Sequence, residues 1–595
     1  MHAWRSKRLG KSEGVSGDKM TLNEIQRPAR FAGTGHMGNV GSRRGVYGSL
    51  QCPVLIWQAA VVFGLVALAS FLSFRQQMPE GYFGVSWPAR TLQNWYDYGY
   101  CRLGGRVVTN PGGIRTGETL QLYPGYRGFS LLPLHALDLV TGDLWWSTMI
   151  FFLLLSVGLA YVIWLDFGQT TAGLVIGTAL CLSPGFAKWG ITLDPVPETV
   201  FLGIPVLIML LRTADPIRHP KPTLPLAAAV AVIMLYAQIE WAAALALFVA
   251  WPALAVELWP SRRARLGVLT VAMCIGILFG AVLLVFQKRG GTGAGSSVTE
   301  LISFYRAYNF GPSGYGHGEV TWLLALKRLS APTAVGLLPL WIVLATTLWH
   351  ARVWQRPRLT VALMPLAVAL CVSLAMRNSM ATHQWIPCSF IGLGILFSLR
   401  LLLRSLTAVS PTPSALHPIV GSRWFLAVLL IFAFGIDRVV GAVTATKDSQ
   451  AYAVCTLVGK YTPRSATICV GPDLQKYLTR GIAAEDAVTS EFALQYAAEC
   501  WDRHFASLTA CTEGGPVQQA FVVNSKPLMG YGPLVATVTG HPNPVLVRVL
   551  RWYAVHITRR LHAWLWEGSI NYYLYKFQPR THLPLPSPAE APVRE

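Results

Sequence analysis

Residues 223–258 read TLPLAAAVAVIMLYAQIEWAAALALFVAWPALAVEL, and the number of times this stretch crosses a membrane decides the fold. It is too long for one ordinary span of about 20 residues, and Gln238 and Glu240 lie near its middle. Basic residues flank both ends: Arg212, Arg218 and Lys221 before it, and Arg262, Arg263 and Arg265 after it. Because Lys and Arg collect in short cytoplasmic links, both ends belong on one side. The stretch therefore predicts a hairpin whose turn carries Glu240 on the outer side.

The whole composition agrees with a membrane protein. The chain has 595 residues, of which 53% are hydrophobic and 13% charged, whereas soluble domains are about 25% charged. Its apolar runs are long enough to cross a bilayer. They predict an all-α polytopic membrane protein with about eleven spans, near 53–74, 144–165, 170–187, 197–211, 223–238, 241–258, 266–286, 331–350, 359–376, 386–403 and 424–442.

The N-terminal tail, residues 1–52, is polar and basic. The first apolar run, Pro53 to Phe74, begins too far into the chain for a cleavable signal peptide. We therefore expect a retained anchor with its N-terminus in the cytoplasm. The net charge of +21 is explained by basic links between spans rather than by nucleic-acid binding.

With the hairpin in place, the transmembrane core covers residues 53–445, with long outer loops at 75–143 and 287–330. The eleventh span then exports the remainder. Residues 446–578 are expected to form a periplasmic α/β domain, with strands at 465–470 and 519–524 and helices at 474–479 and 491–505. The basic amphipathic stretch 545–566 either lies on the membrane surface or packs on this domain. Residues 579–595 are Pro-rich and expected to be disordered.

The exported domain contains four cysteines: Cys455, Cys469, Cys500 and Cys511. In an oxidising compartment these residues allow up to two disulfides, in any of three connectivities. Free buried thiols are the alternative.

The sequence has no P-loop, no paired Cys-x-x-Cys and no convincing dinucleotide motif. Attention falls on the first outer loop, where Asp97 sits within Trp95-Tyr-Asp-Tyr-Gly-Tyr100. A carboxylate among aromatic rings is expected to be partly desolvated, which suits a general base. The alternative is an ordinary loop Asp that caps a helix or turn.

Other outer links carry further candidates. Asp194 and Glu198 lie at the mouth of the fourth span, where acids also stabilise a helix start. Arg377 and His383 flank an outer turn and suit a lipid phosphate, or else anchor headgroups. Three residues of the fourth outer loop, which is glycine-rich, offer contacts to the same phosphate or are solvated: Lys288, Arg289 and His317.

The order of these features resembles the GT-C superfamily of membrane glycosyltransferases. The resemblance rests on a cytoplasmic N-terminus, one span, an outer loop with an early Asp97, and Tyr123-Pro-Gly-Tyr126 before the next span. It implies a polyprenyl-phosphate-linked sugar donor, Asp97 as the essential acid and Asp194 as a second acid. Many relatives have paired acids where Tyr98 follows here, so a divalent cation, Mg²⁺ or Mn²⁺, stays open as a cofactor. Gly125 replaces the second proline of the related motif.

The sequence therefore predicts an enzyme of a bacterial cytoplasmic membrane that transfers a hexosyl or pentosyl group to a glycan, lipid or protein acceptor at the outer face. Absence of an Asn-X-Ser/Thr sequon favours the bacterial origin. Three alternatives remain: a lipid-linked polysaccharide ligase or polymerase, a transporter or flippase, and a non-catalytic scaffold for envelope-complex subunits.

Overall fold

The computed structural model describes residues 47–77, 83–110, 120–123, 127–183, 185–186, 195–214, 223–259, 262–288, 298–300, 302–303, 306, 313–314, 317–319, 321–350, 356–383, 385–409, 450–464, 466–471, 501, 503–513, 519–540 and 570–578. The chain divides into two compact units, residues 1–57 and 58–595, and the contacts below lie within the second. Several sequence predictions fall outside the described residues: the tail up to residue 46, the span 424–442, the helices 474–479 and 545–566, and the tail 579–595.

The part of the chain before the C-terminal domain is mainly helical. The helices are α1 (Tyr47–Gln77), α2 (Phe83–Tyr98), α3 (Leu132–Thr141), α4 (Leu144–Asp166), α5 (Thr171–Cys181), α6 (Pro195–Ala214), α7 (Thr223–Ile239), α8 (Trp241–Leu258), α9 (Arg263–Lys288), α10 (Trp322–Gly336), α11 (Leu338–His350), α12 (Arg356–Ala362), α13 (Met364–Ala375), α14 (Arg377–Thr382) and α15 (Trp385–Val409). A small antiparallel pair, β1 (Ser313–Gly314) and β2 (His317–Glu319), precedes α10.

Five helices among the described residues are long and apolar enough to cross a membrane: Trp146–Asp166, Val196–Thr213, Trp241–Leu258, Arg263–Gln287 and Ile386–Arg404. They coincide with five of the predicted spans. The total of about eleven is not confirmed, since the other apolar helical segments in the described part of the chain, such as Ile56–Phe71, are 10–17 residues long. The predicted spans 331–350 and 359–376 each contain a helix break, at Leu337 and Leu363.

The predicted break within residues 223–258 is present. Helix α7 ends at Ile239 and α8 begins at Trp241, while Glu240 between them has an extended backbone, with φ −148° and ψ 162°. The Glu240 side chain is buried, at 1% exposure, and the placement of this turn on the outer side of the membrane stays a prediction.

Small residues let neighbouring helices approach closely. Helix α5 packs on α4 through Gly173 and Gly177. A Cβ at Gly177 would lie 3.0 Å from the Ala160 carbonyl oxygen. Such contacts replace the hydrophobic effect as the source of helix association in lipid.

Buried ion pairs join the ends of α4, α8 and α15. Arg400 Nη1 lies 3.0 Å from Asp166 Oδ2, and Arg400 Nε lies 3.3 Å from Glu257 Oε1. Arg404 also contacts Glu257, at 2.9 Å. The predicted cytoplasmic link after Asp166 has no Lys or Arg of its own, and these contacts group it with two arginines of α15.

Glu240, a second buried acidic residue, lies at the other end of α8 from Glu257. Helix α8 runs through 18 residues, about 27 Å at 1.5 Å per residue, from Glu240 at one end to Glu257 near the other. That length matches a hydrocarbon core of about 30 Å. Glu240 contacts the first long loop, as described below. The two ends of α8 therefore contact different parts of the chain, and the sides of the membrane on which they lie stay a prediction.

The C-terminal domain, residues 450–578, contains a five-stranded sheet. Its elements are α16 (Gln450–Tyr461), β3 (Thr467–Val470), β4 (His504–Ser507), α17 (Leu508–Glu513), β5 (Ala520–Asn524), β6 (Leu534–Gly540) and β7 (Ile570–Lys576). The strand order is β4-β3-β5-β7-β6. Strand β3 is parallel to β4 and β5, whereas β7 is antiparallel to β5 and β6. The predicted strands at 465–470 and 519–524 are confirmed.

The two faces of this sheet follow the alternation of side chains along a strand. Ile468, Val470 and Val523 face a core with α16 residues such as Val458. Cys469 points to the opposite face. The predicted helix 491–505 is wrong at its end, since His504–Ser507 is strand β4, paired in register with β3.

Candidate functional site

Asp97 lies on the exposed side of α2, one residue before the helix ends. Trp95 and Asn94 are fully buried on the other side. The Trp95 indole donates to the Arg106 carbonyl at 2.8 Å, and the Asn94 amide donates to the Asn110 carbonyl at 3.0 Å. These bonds fix the helix to the loop behind it and leave Asp97 facing outward.

Both carboxylate oxygens of Asp97 accept hydrogen bonds. Gln93 Nε2, one turn earlier, donates to Oδ1 at 3.3 Å. Trp501 Nε1, from the C-terminal domain, donates to Oδ2 at 2.8 Å. Asp97 itself is exposed, so the expectation of a partly desolvated carboxylate is wrong at this position. Asp97 is therefore an accessible carboxylate that is oriented by hydrogen bonds from two sides.

The desolvated acid is Asp138, on α3, which the sequence analysis missed. Asp138 is 3% exposed. Burial raises its pKa to about 6, and the negative charges of Asp143 and Asp97 add to this effect, while a hydrogen bond with Ser147 opposes it. The negative charge of Asp97 makes the smallest of these contributions. Asp97 and Asp138 thus differ in their surroundings, one exposed and one buried.

His135 accompanies Asp138 on the same helix face, at the i, i+3 spacing of residues that lie next to each other. Its ring packs against Trp95, with the ring centres 5.5 Å apart. Burial lowers the pKa of His135, so the ring favours its neutral form. The spacing of His135 and Asp138 in an otherwise apolar loop helix was the available sequence signal.

Tyr123 lies within the packed part of this loop. Its ring stacks on Trp87, with centres 4.6 Å apart and planes 8° from parallel. Its partner in the related motif, Tyr126, lies outside the described residues, as does Asp194. Tyr123 thus stabilises the loop against α2.

Glu240 fixes the end of the same loop. Its carboxylate accepts the backbone N–H of Arg127 at 3.0 and 3.1 Å and that of Gly128 at 2.8 Å. A Cβ at Gly128 would lie 2.9 Å from the Trp95 ring, and the residue has φ +86°. Only glycine fits this close approach without strain. The α7–α8 break and the Asp97 loop are therefore joined by one buried carboxylate.

The predicted phosphate-binding residues lie on other elements. The Arg377 guanidinium, on α14, stands 4.7 Å from the centre of the Trp322 ring. His383 follows α14, and its backbone N–H donates to the Ser379 carbonyl at 2.9 Å. Helix α14 also packs against β1, whose partner β2 begins at His317. The contact described for Arg377 is with Trp322 and not with Asp97.

The remaining candidates are placed as follows. Glu198 is buried in the first turn of α6, where an acid also favours the helix dipole. Lys288 is the last residue of α9, and its side chain, like Arg289, lies outside the described part.

One predicted disulfide is present, between Cys469 of β3 and Cys511 of α17. Cys455 is buried in the core of the domain, and its pairing in a disulfide stays a prediction. Cys500 lies outside the described residues.

Within the described ranges, no group of three or more His, Cys, Asp or Glu side chains is arranged to hold a metal ion. No protein-family model matches the chain, and no curated protein matches it.

Proposed function

We propose that this chain is a membrane glycosyltransferase that moves a sugar from a polyprenyl-phosphate donor to an acceptor hydroxyl, with Asp97 as general base. The observation that carries the proposal is the setting of Asp97. It is an exposed carboxylate whose two oxygens are oriented by Gln93 and Trp501. It stands where the loop of the membrane part meets the C-terminal domain.

The unlike surroundings of Asp97 and Asp138 support acid–base chemistry at this point, since enzymes divide acid and base roles between carboxyls in this way. The buried Asp138 has the raised pKa, and the exposed Asp97 is the one that a substrate hydroxyl reaches. We assign the base role to Asp97 for this reason.

The compartment is part of the proposal. A disulfide between Cys469 and Cys511 is typical of a domain that folds in an oxidising compartment. The C-terminal domain contacts Asp97, and Glu240 and Asp97 are both connected to the loop around Gly128. Together with the charge rule, these contacts favour a site on the outer face of a bacterial cytoplasmic membrane.

In the proposed reaction, Asp97 takes the proton of the acceptor hydroxyl while the hydroxyl oxygen forms a bond to the anomeric carbon of the donor sugar. The bond between that carbon and the phosphate oxygen breaks, and the electron pair leaves with polyprenyl phosphate. Arg377 is the candidate to neutralise the leaving phosphate. The neighbouring Trp322 ring limits the positions of the guanidinium, and Arg377 stays partly exposed.

The test compares two variants with the same change of charge. Asp97→Asn should abolish transfer from a polyprenyl-phosphate sugar in purified, detergent-solubilised protein. Glu513→Gln is the control, because it removes the same charge at the end of α17, and α17 carries Cys511, which packs on the sheet face opposite to that of Trp501. Native transfer by Asp97→Asn would refute the assignment.

The same assay separates the alternatives. A ligase or polymerase would lose activity in Arg377→Ala and keep it in Asp97→Asn. A transporter or flippase would move the lipid-linked sugar across vesicle membranes without forming a glycosidic bond.

A further inference from the structure

Trp501 joins the core of the C-terminal domain to the candidate base. The indole Nε1 donates to Asp97 Oδ2 at 2.8 Å across 404 residues of sequence. The contact is short and charge-assisted, the stronger class of hydrogen bond. No feature of the local sequence around either residue accounts for it.

The indole is held firmly on its own side. Trp501 is 6% exposed and packs in the same core as Val458 and Phe505. Arg503, two residues later, donates from Nη2 to the Gly459 and Thr462 carbonyls, each at 2.9 Å. The N–H of Trp501 therefore points from a fixed position.

Asp97 depends on that fixed donor. Helix α2 ends next to it, since Gly99 has φ +85°, and the bond from Gln93 is long at 3.3 Å. An indole N–H donates and never accepts, so this contact favours the carboxylate over the carboxylic acid. A carboxylate has about four acceptor positions, which leaves room for an acceptor hydroxyl.

We propose that Trp501 is a positioning residue, through which the C-terminal domain orients Asp97 and keeps it ionised for proton abstraction. The inference rests on the proposed function. It makes the C-terminal domain a working part of the site rather than an appended binding module.

The first test is Trp501→Phe, which removes the N–H and keeps an aromatic ring in the core. Loss of this bond should lower kcat about tenfold and move the acid limb of the pH–rate profile upward by about one unit. Among the described residues, the other titratable groups near this region are Tyr100, His135, Asp138 and Asp143, and the variant leaves all four unchanged. Trp341→Phe is the matched control, because that indole donates to the Thr333 carbonyl at 3.0 Å, far along the chain from Asp97.

Equal loss of activity at every pH, with the acid limb unmoved, would show a merely structural role and overturn the inference. Increased activity would also overturn it, since Trp501 would then block the acceptor.

A second measurement does not depend on turnover. In protein labelled with ¹⁵N-tryptophan, the indole resonance absent from Trp501→Phe identifies Trp501. Its shift should change with pH in the native protein and lose this transition in Asp97→Asn. A resonance that ignores Asp97 would refute the contact. A resonance that titrates with Asp97 in protein without transferase activity would refute the proposed function while the coupling of the two residues stands.

Discussion

Removing the Glu240 carboxylate should release the loop that carries the candidate site. In Glu240→Ala, the backbone N–H groups of Arg127 and Gly128 lose their acceptor in a buried setting, with the original bonds at 2.8 to 3.1 Å. A buried donor without a partner costs about 1–3 kcal/mol. Two such donors cost about 2–6 kcal/mol, and outward movement of the loop limits the loss to the lower part of that range.

The expected consequence is local opening at residues 127–128. A loss of about 2 kcal/mol corresponds to about a 30-fold increase in the open population. Hydrogen–deuterium exchange measured by mass spectrometry on the peptide that contains Arg127 and Gly128 should accelerate by at least that factor. Glu240→Gln should show a smaller effect, because its amide keeps one acceptor oxygen.

Tyr236→Phe, in helix α7 one turn before Glu240, is the control. It removes a buried hydrogen bond from the Tyr236 hydroxyl to the Thr199 carbonyl, 2.9 Å long, and leaves Glu240 intact. Exchange at residues 127–128 should then stay at its native rate. The reasoning fails if Glu240→Ala leaves this exchange unchanged, or if both variants accelerate it equally.

Three further predictions concern stability. Arg400→Met leaves two carboxylates without their buried partner and should cost about 3–5 kcal/mol, measured as a lower unfolding temperature in detergent. Arg404→Met changes a side chain that is 35% exposed and should cost much less. Equal losses of stability in the two variants would contradict the burial argument. Cys469→Ser opens a loop of 42 residues closed by Cys511 and should cost about 4 kcal/mol; reductant should destabilise the native protein by a similar amount and leave the variant unaffected. Asp138 has a pKa raised from 3.8 to about 6, so the folded state binds its proton more tightly than the unfolded chain, and the resulting stability is lost as pH rises from about 4 to about 6. Asp138→Asn should lack this loss, about 3 kcal/mol at most, and parallel pH profiles of unfolding for the two proteins would refute the assignment.

The helices were largely accessible from sequence because apolar runs are local signals. Five predicted spans match long apolar helices, and the break at Glu240 followed from the charges that flank residues 223–258. The burial of Glu240 did not follow, since it depends on N–H groups more than 110 residues earlier. A charged residue in a turn suggests exposure until its partners are known.

Only part of the candidate site was predicted, because its contacts join residues that are far apart in the sequence. Asp97 was found from its aromatic surroundings, but its contact with Trp501 spans 404 residues. Asp138 was missed because its pKa depends on burial and on charges from two other elements. Strand β4 was taken for the end of a helix, because its strand conformation comes from pairing with β3 and not from its own residues.

The position of β7 in the sheet determines when, during synthesis of the chain, the candidate site can be completed. This strand, residues 570–576, lies between β5 and β6 in the sheet, although it is the last strand along the described part of the chain. The ribosome therefore delivers β3, β4, β5 and β6 well before the strand that joins β6 to the others. Tyr572 and Leu574 of β7 complete the same core that holds Trp501. A nascent or truncated chain that stops before residue 570 presents Asp97 without a finished support for its indole partner, so premature products of translation should be inactive even when every membrane helix is already inserted.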